Sequence, residues 1–168
     1  MNDFSLREFC FQDAARINAL ALEAFQQYEG AYQDWPLFQS KIANMAALAQ
    51  TGEIVLAELD GRILGAVAYV GPGATKADFF KPHWPIMRML VVAPGARGRG
   101  IGRALARACL QRAERDGATE FALHTSKIMD VALPMYERMG FQWVSRTPDI
   151  HGVEYGVYVK KIQKPAGI

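Results

Sequence analysis

Glycine alternates with larger residues in one short stretch of the chain, Arg97-Gly98-Arg99-Gly100-Ile101-Gly102. A predicted strand leads into this glycine turn and a predicted helix follows it, so several backbone N–H groups lie unpaired at the positive end of the helix dipole. Because glycine has no side chain, the backbone can approach an anion closely and form a nest of N–H donors. Arg97 and Arg99 add positive charge. The turn is therefore predicted to bind phosphate.

Two familiar phosphate-binding motifs do not fit the glycine turn. The dinucleotide fingerprint GxGxxG, begun at Gly98, needs glycine or a small residue where Arg103 stands. The P-loop pattern GxxxxGK[ST], begun at Gly95, needs lysine where Ile101 stands. The arginines that continue beyond the turn suit either a polyanionic ligand or a solvated helix face. They are Arg103, Arg107, Arg112 and Arg115.

The spacing RxxGxG, at Arg97, Gly100 and Gly102, resembles motif A of the GNAT superfamily of N-acetyltransferases. The segment before it, Leu-Val-Val-Ala-Pro at residues 90–94, resembles the fourth strand of that family. Further along the chain, Tyr-Glu-Arg-Met-Gly-Phe at residues 136–141 resembles motif B. The order of the predicted elements also matches the family, so the resemblance covers nearly the whole chain.

The neighbourhood of motif B keeps one family feature and departs from the family at two positions. Ala132 stands four residues before Tyr136, as the family pattern prefers. Met129 stands where members often have asparagine, and Pro134 lies inside the short predicted helix. If Asp130 is the N-cap, the proline falls in the first turn at little cost, whereas an earlier start implies a kink.

The resemblance implies that acetyl-CoA is the co-substrate and that its pyrophosphate lies on the backbone amides of the glycine turn. The pantetheine arm would pair with main-chain groups of Leu90 and Val92 like an added strand. A main-chain amide near Leu90 would bind the thioester oxygen as negative charge develops there. The cofactor-binding residues expected on this basis are Leu90, Val91, Val92, Arg97, Gly98, Arg99, Gly100, Ile101, Gly102 and Arg103.

Tyr136 is the candidate catalytic residue, as the proton donor to the departing thiolate. A phenol with an ordinary pKa of about 10 can protonate a CoA thiolate, and motif B puts this tyrosine near the sulfur in relatives. The alternative interpretation is an aromatic side chain that packs its helix on the sheet. The general base stays open among Glu58, His83, His124 and Glu154, and a water relay could also serve.

An aromatic region is expected to frame the acceptor, between the first helices and the long loop at residues 71–85. It would suit a partly apolar or cationic amine through stacking or cation–π contact. Core packing or the surface of a homodimer would explain the same side chains. They are Tyr28, Tyr32, Trp35, Phe79, Phe80 and Trp84.

We therefore expect an N-acetyltransferase that transfers an acetyl group from acetyl-CoA to a primary amine of a small molecule, peptide or protein. The amine would attack directly in a ternary complex. The alternative is a noncatalytic module that binds acyl-CoA for regulation. A nucleic-acid-binding domain is not favoured, because no base-reading motif accompanies the arginines. No metal is expected, because Cys10 and Cys109 lack the spacing of metal ligands.

The elements that must position these residues follow from hydrophobic periodicity and turn residues. Strands are predicted near residues 4–6 and at 53–59, 62–70, 86–92, 119–125, 141–145 and 153–159. Helices are predicted at residues 13–25, from residue 35 up to Gly52, and at 101–115 and 131–139. Asp60-Gly61 predicts a hairpin turn, and the strand–helix–strand unit at residues 86–125 predicts two parallel strands. The fold class is therefore α/β (α+β), with a mixed central sheet flanked by helices on both faces.

Composition is that of an ordinary globular domain. The chain has 168 residues, of which 51% are hydrophobic and 21% charged, so a single N-acetyltransferase domain over residues 1–168 is expected. The formal charge of +2 is too small to suggest a nucleic acid or a membrane as partner. No apolar run approaches the roughly 20 residues of a membrane-spanning helix, and the first residues lack the features of a signal peptide. A cytoplasmic location is therefore expected.

Overall fold

The computed structural model describes residues 3–163, and residues 1–2 and 164–168 of the predicted domain lie outside the described part. Seven strands alternate with four α-helices along this part of the chain. The strands are β1 (Ser5–Glu8), β2 (Glu53–Leu59), β3 (Arg62–Val70), β4 (Ile86–Val92), β5 (Glu120–Thr125), β6 (Gln142–Ile150) and β7 (Val153–Lys161). The helices are α1 (Ala14–Phe25), α2 (Trp35–Ile42), α3 (Ile101–Arg115) and α4 (Ala132–Arg138).

The strands form one mixed sheet in the order β1-β2-β3-β4-β5-β7-β6. β4 and β5 are parallel, and α3 connects them. A helical crossover is what parallel neighbours require, because a short turn cannot return the chain to the same end of the sheet. The other neighbouring strands pair antiparallel. The predicted mixed sheet is therefore confirmed.

Both faces of the sheet are covered by helices, as β2 illustrates. Ile54 and Leu56 pack in the cluster that holds α1 and α2, whereas Val55 and Ala57 pack in the cluster that holds α3 and α4. Successive side chains of a strand point to opposite faces, so a strand buried on both sides needs apolar residues at every position. This arrangement confirms the predicted helices on both faces.

The turn between β2 and β3 has the backbone that its residue types predict. Asp60 and Gly61 both take positive φ angles, of 50° and 75°. Two consecutive positive φ angles define the type I′ turn, whose twist matches that of the flanking strands. The predicted hairpin is confirmed.

The second predicted helix is too long. α2 ends at Ile42, and a separate 3-10 helix at Met45–Gln50 replaces the predicted helical continuation toward Gly52. The backbone N–H of Ala46 donates to Asn18 Oδ1 of α1 at 2.8 Å. In a continuous helix, this amide would donate to the carbonyl four residues earlier. The break therefore accompanies a tertiary contact, which local hydrophobic spacing does not show.

The end of β6 and the N-cap of α4 also differ from the sequence-based expectation. β6 continues to Ile150 instead of ending at Ser145, because it pairs with β7 as far as the Ile150–Val153 pair. Val131, not Asp130, is the N-cap of α4. Pro134 therefore lies in the first turn of α4, where proline is tolerated.

α3 approaches the sheet closely at Gly65 of β3. A Cβ at this buried position would lie 2.7 Å from Ile101 Cγ2, 3.0 Å from Leu105 Cδ1 and 3.1 Å from the Val91 carbonyl oxygen. Gly65→Ala should therefore lower the free energy of unfolding by about 1–3 kcal/mol through overpacking. Urea denaturation followed by circular dichroism measures this difference.

The matched control for Gly65→Ala is Gly30→Ala. Gly30 is exposed, and a Cβ there would meet nothing within 4 Å. The control should leave the urea midpoint near that of the original chain. Equal midpoints for the two variants would show that α3 can shift away from β3 without loss of packing.

None of the helices within residues 3–163 is both long and apolar enough to cross a membrane.

Candidate active site

β4 and β5 lie side by side at one end and separate toward the other. They pair at Ile86–Ala122 and Met87–Leu123, and no further pair between them is found in the described part of the chain. β4 nevertheless continues to Val92. The sheet therefore has a gap between residues 88–92 of β4 and residues 124–125 of β5, which we call the strand opening.

β4 carries a bulge where it borders the strand opening. Its pairing with β3 includes an extra residue between Arg88 and Val91, and Met89 takes a φ angle of 55°. A bulge bends the strand and re-aims its side chains. Beyond it, Leu90 and Val92 pack on the side of α3 and α4, whereas Met89 and Val91 pack on the side of α1 and α2.

The glycine turn is separated from β4 by Ala93 and a short 3-10 helix at Pro94–Ala96, and it leads into the N-terminus of α3. Gly98 and Gly100 take φ angles of 80° and 81°, a left-handed conformation that glycine adopts readily, and Gly100 is the N-cap of α3. A Cβ at either position would meet nothing within 4 Å. Within residues 3–163, no side chain caps the helix at Gly100. The first amides of a 15-residue helix are thus open to an anion beside the strand opening.

Gly102 brings the glycine turn, β4 and α4 together. A Cβ there would lie 3.7 Å from Val92 Cγ2, 4.0 Å from Leu90 Cδ2 and 4.0 Å from Met135 Sδ. Ile101 is buried in the core and anchors the start of α3. The predicted cofactor-binding residues of β4 and of the turn therefore lie next to each other in space.

The three predicted arginines point in different directions. Arg97 donates to Gln27 Oε1 at 3.0 Å and so turns toward the segment after α1. Arg99 Nη1 lies 3.9 Å from Asp3 Oδ2. Arg103 lines a cavity of about 360 Å³ between α3 and β1. Positive charge therefore surrounds the turn on several sides, and it is not concentrated on the strand opening.

Tyr136 lies on α4 and is buried, with 6% of its surface exposed. Its ring packs edge-on against Phe141, with centroids 5.9 Å apart. Burial raises the pKa of Tyr136, and Cys109 and Tyr28 raise it further. The hydroxyl carries its proton at neutral pH.

Arg88 and His124 face each other across the strand opening, on the α1 and α2 side. Each lies two residues beyond the last paired residues on that face, Ile86 of β4 and Ala122 of β5. Residues two apart on a strand point to the same face. Burial, followed by the positive charge of Arg88, lowers the pKa of His124 to about 4. His124 is therefore neutral at pH 7.

Arg88 is a residue that the sequence reasoning missed. Arg88 is exposed as a residue, yet desolvation by the surrounding protein lowers its pKa. The ion pairs found within residues 3–163 do not include it. The available signal was a single charged residue inside the otherwise apolar strand Ile-Met-Arg-Met-Leu-Val-Val at Ile86–Val92.

Aromatic side chains surround His124. Its ring centroid lies 4.5 Å from that of Phe79 and 4.8 Å from that of Tyr155, and its Nε2 lies 2.6 Å from Thr147 Oγ1. The hydroxyl of Tyr155 is hydrogen-bonded to the hydroxyl of Tyr32. The strand opening thus has an apolar wall with a few polar groups, which is the usual composition of a small-molecule site.

The six aromatic residues expected near the acceptor divide into two groups. Four are buried and act in core packing, as the alternative interpretation proposed: Tyr32, Trp35, Phe80 and Trp84. Phe79 is 37% exposed next to His124, and Tyr28 is partly exposed. The part of this set available to a ligand is therefore smaller than the sequence suggested.

The four candidate bases occupy different places. His124 borders the strand opening. Glu58 lies on β2, separated from β4 by β3, and forms an ion pair with Arg7. His83 is exposed in the loop before β4. Glu154 lies near the start of β7 and lines a cavity of about 310 Å³ beyond the end of β5. His124 is therefore the candidate whose position fits the strand opening most directly.

Both cysteines are free, and they lie far apart. Cys10 is exposed before α1, whereas Cys109 is buried in α3. Burial raises the pKa of Cys109 to about 12, so its thiol stays protonated and is a poor nucleophile. In the described part of the chain, no group of three or more His, Cys, Asp or Glu residues could hold a metal ion.

Comparison with known proteins gives two results at the level of sequence. The model of the Acetyltransferase (GNAT) family matches residues 14–141. An 87-residue stretch is 37% identical to N-acetyltransferase family 8 member 3 of Rattus norvegicus, and it covers 52% of this chain and 37% of that protein. The chain spans less than half of the length of the curated relatives that it matches.

Solved structures share the fold over nearly the full length. The GCN5-related N-acetyltransferase structure from Rhodopseudomonas palustris has a TM-score of 0.75 at 22% identity, and covers 96% of this chain and 98% of its own. A GNAT family acetyltransferase from Elizabethkingia anophelis with acetyl-CoA bound has a TM-score of 0.66 at 15% identity. The match covers 96% of this chain and 100% of that one.

Proposed function

Because this chain belongs to the GNAT family of acetyltransferases, we propose that it transfers the acetyl group of acetyl-CoA to a primary amine. The amine belongs to a small molecule, a peptide or a protein, and it attacks the thioester directly in a ternary complex. Acetyl-CoA is the co-substrate, and no metal takes part.

One observation carries this proposal: the strand opening between β4 and β5 adjoins the side-chain-free amides of the glycine turn. The opening can accept an extended pantetheine arm beside Leu90 and Val92, in the manner of an added strand. The amides at Gly98 and Gly100 are open at the positive end of α3, which suits a pyrophosphate. Binding both ends of one cofactor would aim the thioester into the opening.

Catalysis needs stabilisation of a developing oxyanion and protonation of the leaving thiolate. The bulge at Met89 re-aims the neighbouring main chain, and we assign the amide at Leu90 to the thioester oxygen. Tyr136 is the proposed proton donor, because burial keeps its hydroxyl protonated on the α4 side of the opening. The amine nitrogen bonds to the carbonyl carbon, the carbon–sulfur bond breaks, and the phenol proton passes to sulfur.

The proton of the attacking amine needs a separate route. His124 is neutral at pH 7, but a group with a pKa of about 4 holds a proton weakly. We therefore assign to His124 the role of orienting a water molecule that carries the proton out of the strand opening. Its bond to Thr147 Oγ1 fixes the ring for this purpose.

The single-domain organisation and the location remain part of the same proposal. The sheet from β1 to β7 includes strands from both ends of the described chain, which supports one domain. The two unpaired cysteines suit a reducing compartment, so we propose the cytoplasm.

The test is calorimetric titration with acetyl-CoA and CoA, followed by a thiol-release assay with a panel of primary amines. We expect heat with both ligands, and thiol release that depends on an added amine. Absence of heat on folded protein would refute the proposal. Binding without amine-dependent thiol release would favour the noncatalytic acyl-CoA-binding module.

A further inference from the structure

Arg88 lies at the acceptor side of the proposed reaction. It points to the face of the sheet that carries α1 and α2, as does Ala68, its partner on β3. The glycine turn lies at the start of α3, whose packing is on the opposite face. A cofactor bound at the turn would therefore leave the Arg88 side of the strand opening free for the second substrate.

The charge of Arg88 is not neutralised by the neighbouring elements. Glu120 of β5 accepts a hydrogen bond from Trp84 Nε1 at 3.3 Å, and Glu154 of β7 lies 3.9 Å from Arg146. The ring across the opening, His124, is neutral at pH 7. Desolvation of a cation costs free energy unless an anion accompanies it. Within residues 3–163, no ion pair supplies such an anion to Arg88.

We propose that the acceptor is a small amine that also carries a carboxylate, and that Arg88 binds this carboxylate while the amine faces the thioester. The inference rests on the proposed acetyl transfer and narrows its acceptor. The planar guanidinium offers two parallel N–H donors that match the two oxygens of a carboxylate. The single positive charge of Arg88 balances the single negative charge of a carboxylate, whereas a phosphate would bring almost two negative charges.

The dimensions and lining of the strand opening favour a small molecule. Arg88 precedes Leu90 by two residues of β4, and two residues span at most about 7 Å of chain. A flexible arginine side chain covers this distance, so the amine and the carboxylate can belong to one aminocarboxylate. Phe79 and Tyr155 line the opening beside His124, which suits an apolar side chain on the acceptor.

The same charge works against acceptors without an anion. A second cation near Arg88 is repelled, and the free energy of this repulsion is substantial in a partly desolvated site. Polyamines should therefore bind poorly, although the aromatic wall alone would suit a cationic amine.

The test compares three amino acids with the amines that remain when the carboxylate is removed. L-phenylalanine, L-methionine and L-leucine are paired with phenethylamine, 3-(methylthio)propylamine and isoamylamine. Saturation-transfer NMR measures their binding to the full chain saturated with CoA, so the measurement does not depend on turnover. Thiol release from acetyl-CoA is then measured with the same compounds and with spermidine.

We expect at least one amino acid to bind at least tenfold more tightly than its decarboxylated partner. Arg88→Gln should weaken this binding by about 10- to 100-fold, and Arg88→Lys by less. Neither variant should weaken the binding of the matching amine. Arg62→Gln is the matched control, because Arg62 is also exposed but lies at the start of β3.

Four outcomes overturn the inference: no amino acid binds, the amines bind as well as the amino acids, Arg88→Gln binds amino acids normally, or thiol release with spermidine exceeds release with every amino acid. Binding that depends on Arg88 supports it even if acetyl-CoA is never consumed. In that case the proposed transfer fails while the carboxylate site stands.

Discussion

Tyr136→Phe is expected to slow acetyl transfer by about 10²- to 10⁴-fold, the usual contribution of a positioned general acid. Binding of acetyl-CoA should stay unchanged, because the ring keeps its edge-on contact with Phe141 and only the hydroxyl is lost. Burial raises the pKa of the phenol, so the original chain keeps this proton available across the neutral range. Single-turnover kinetics with saturating acetyl-CoA measure the chemical step, and calorimetry measures binding.

Tyr69→Phe is the control for the loss of a buried phenolic hydroxyl. Tyr69 donates to Asp116 Oδ2 at 2.7 Å, beyond the far end of α3 from the glycine turn. This variant should lose some stability and keep its turnover. If Tyr136→Phe turned over at the original rate, Tyr136 would be an aromatic that packs α4 on the sheet, which is the alternative interpretation of its position.

Gly100→Glu should weaken CoA binding by about 10²- to 10³-fold, which we expect to appear as no measurable heat in calorimetry. The position has a φ angle of 81° and open space where a Cβ would stand, so the new side chain can be accommodated beside the turn. Its carboxylate would then face the pyrophosphate. Two like charges about 4 Å apart repel by roughly 4 kcal/mol at the effective dielectric constant of a protein surface.

Two further variants separate charge from backbone strain. Gly100→Gln has the same size and the same left-handed backbone, whose cost is about 1–2 kcal/mol, but no charge. It should bind CoA measurably better than Gly100→Glu. Gly73→Glu adds a carboxylate at another open glycine with a φ angle of 79°, in the loop before β4, and should bind CoA normally. Equal binding by Gly100→Glu and the original chain would remove the pyrophosphate from the glycine turn.

The sequence predicted most of the fold, and its errors have a common cause. β2, β3, β4 and α3 have the predicted bounds, because each is an uninterrupted local pattern of apolar residues between turn residues. The second helix was predicted too long because the break after Ile42 accompanies a hydrogen bond from the Ala46 amide to Asn18, which lies 28 residues earlier in the chain. The far end of β6 likewise depends on its pairing with β7.

Family membership could also be inferred from the order and spacing of residues alone. The spacing of Arg97, Gly100 and Gly102, with Tyr136 downstream, resembled the GNAT motifs, and the family match over residues 14–141 confirms the resemblance. The individual roles of these residues stay predictions. Arg88 was not recognised, because a lone arginine in an apolar strand signals a site only when its neighbours in space are known.

The amino-acid sequence by itself determined the local backbone of this protein: the run of strands and helices, the turn at Asp60 and Gly61, and the glycines that precede α3. Residue type and short-range spacing suffice for these features, because they depend on φ and ψ preferences and on the period of the apolar pattern. Tertiary structure alone decided after which residue pair β4 and β5 separate, and that Arg88 and His124 face each other there. These two residues are far apart in the chain, and local preferences carry no information about such contacts.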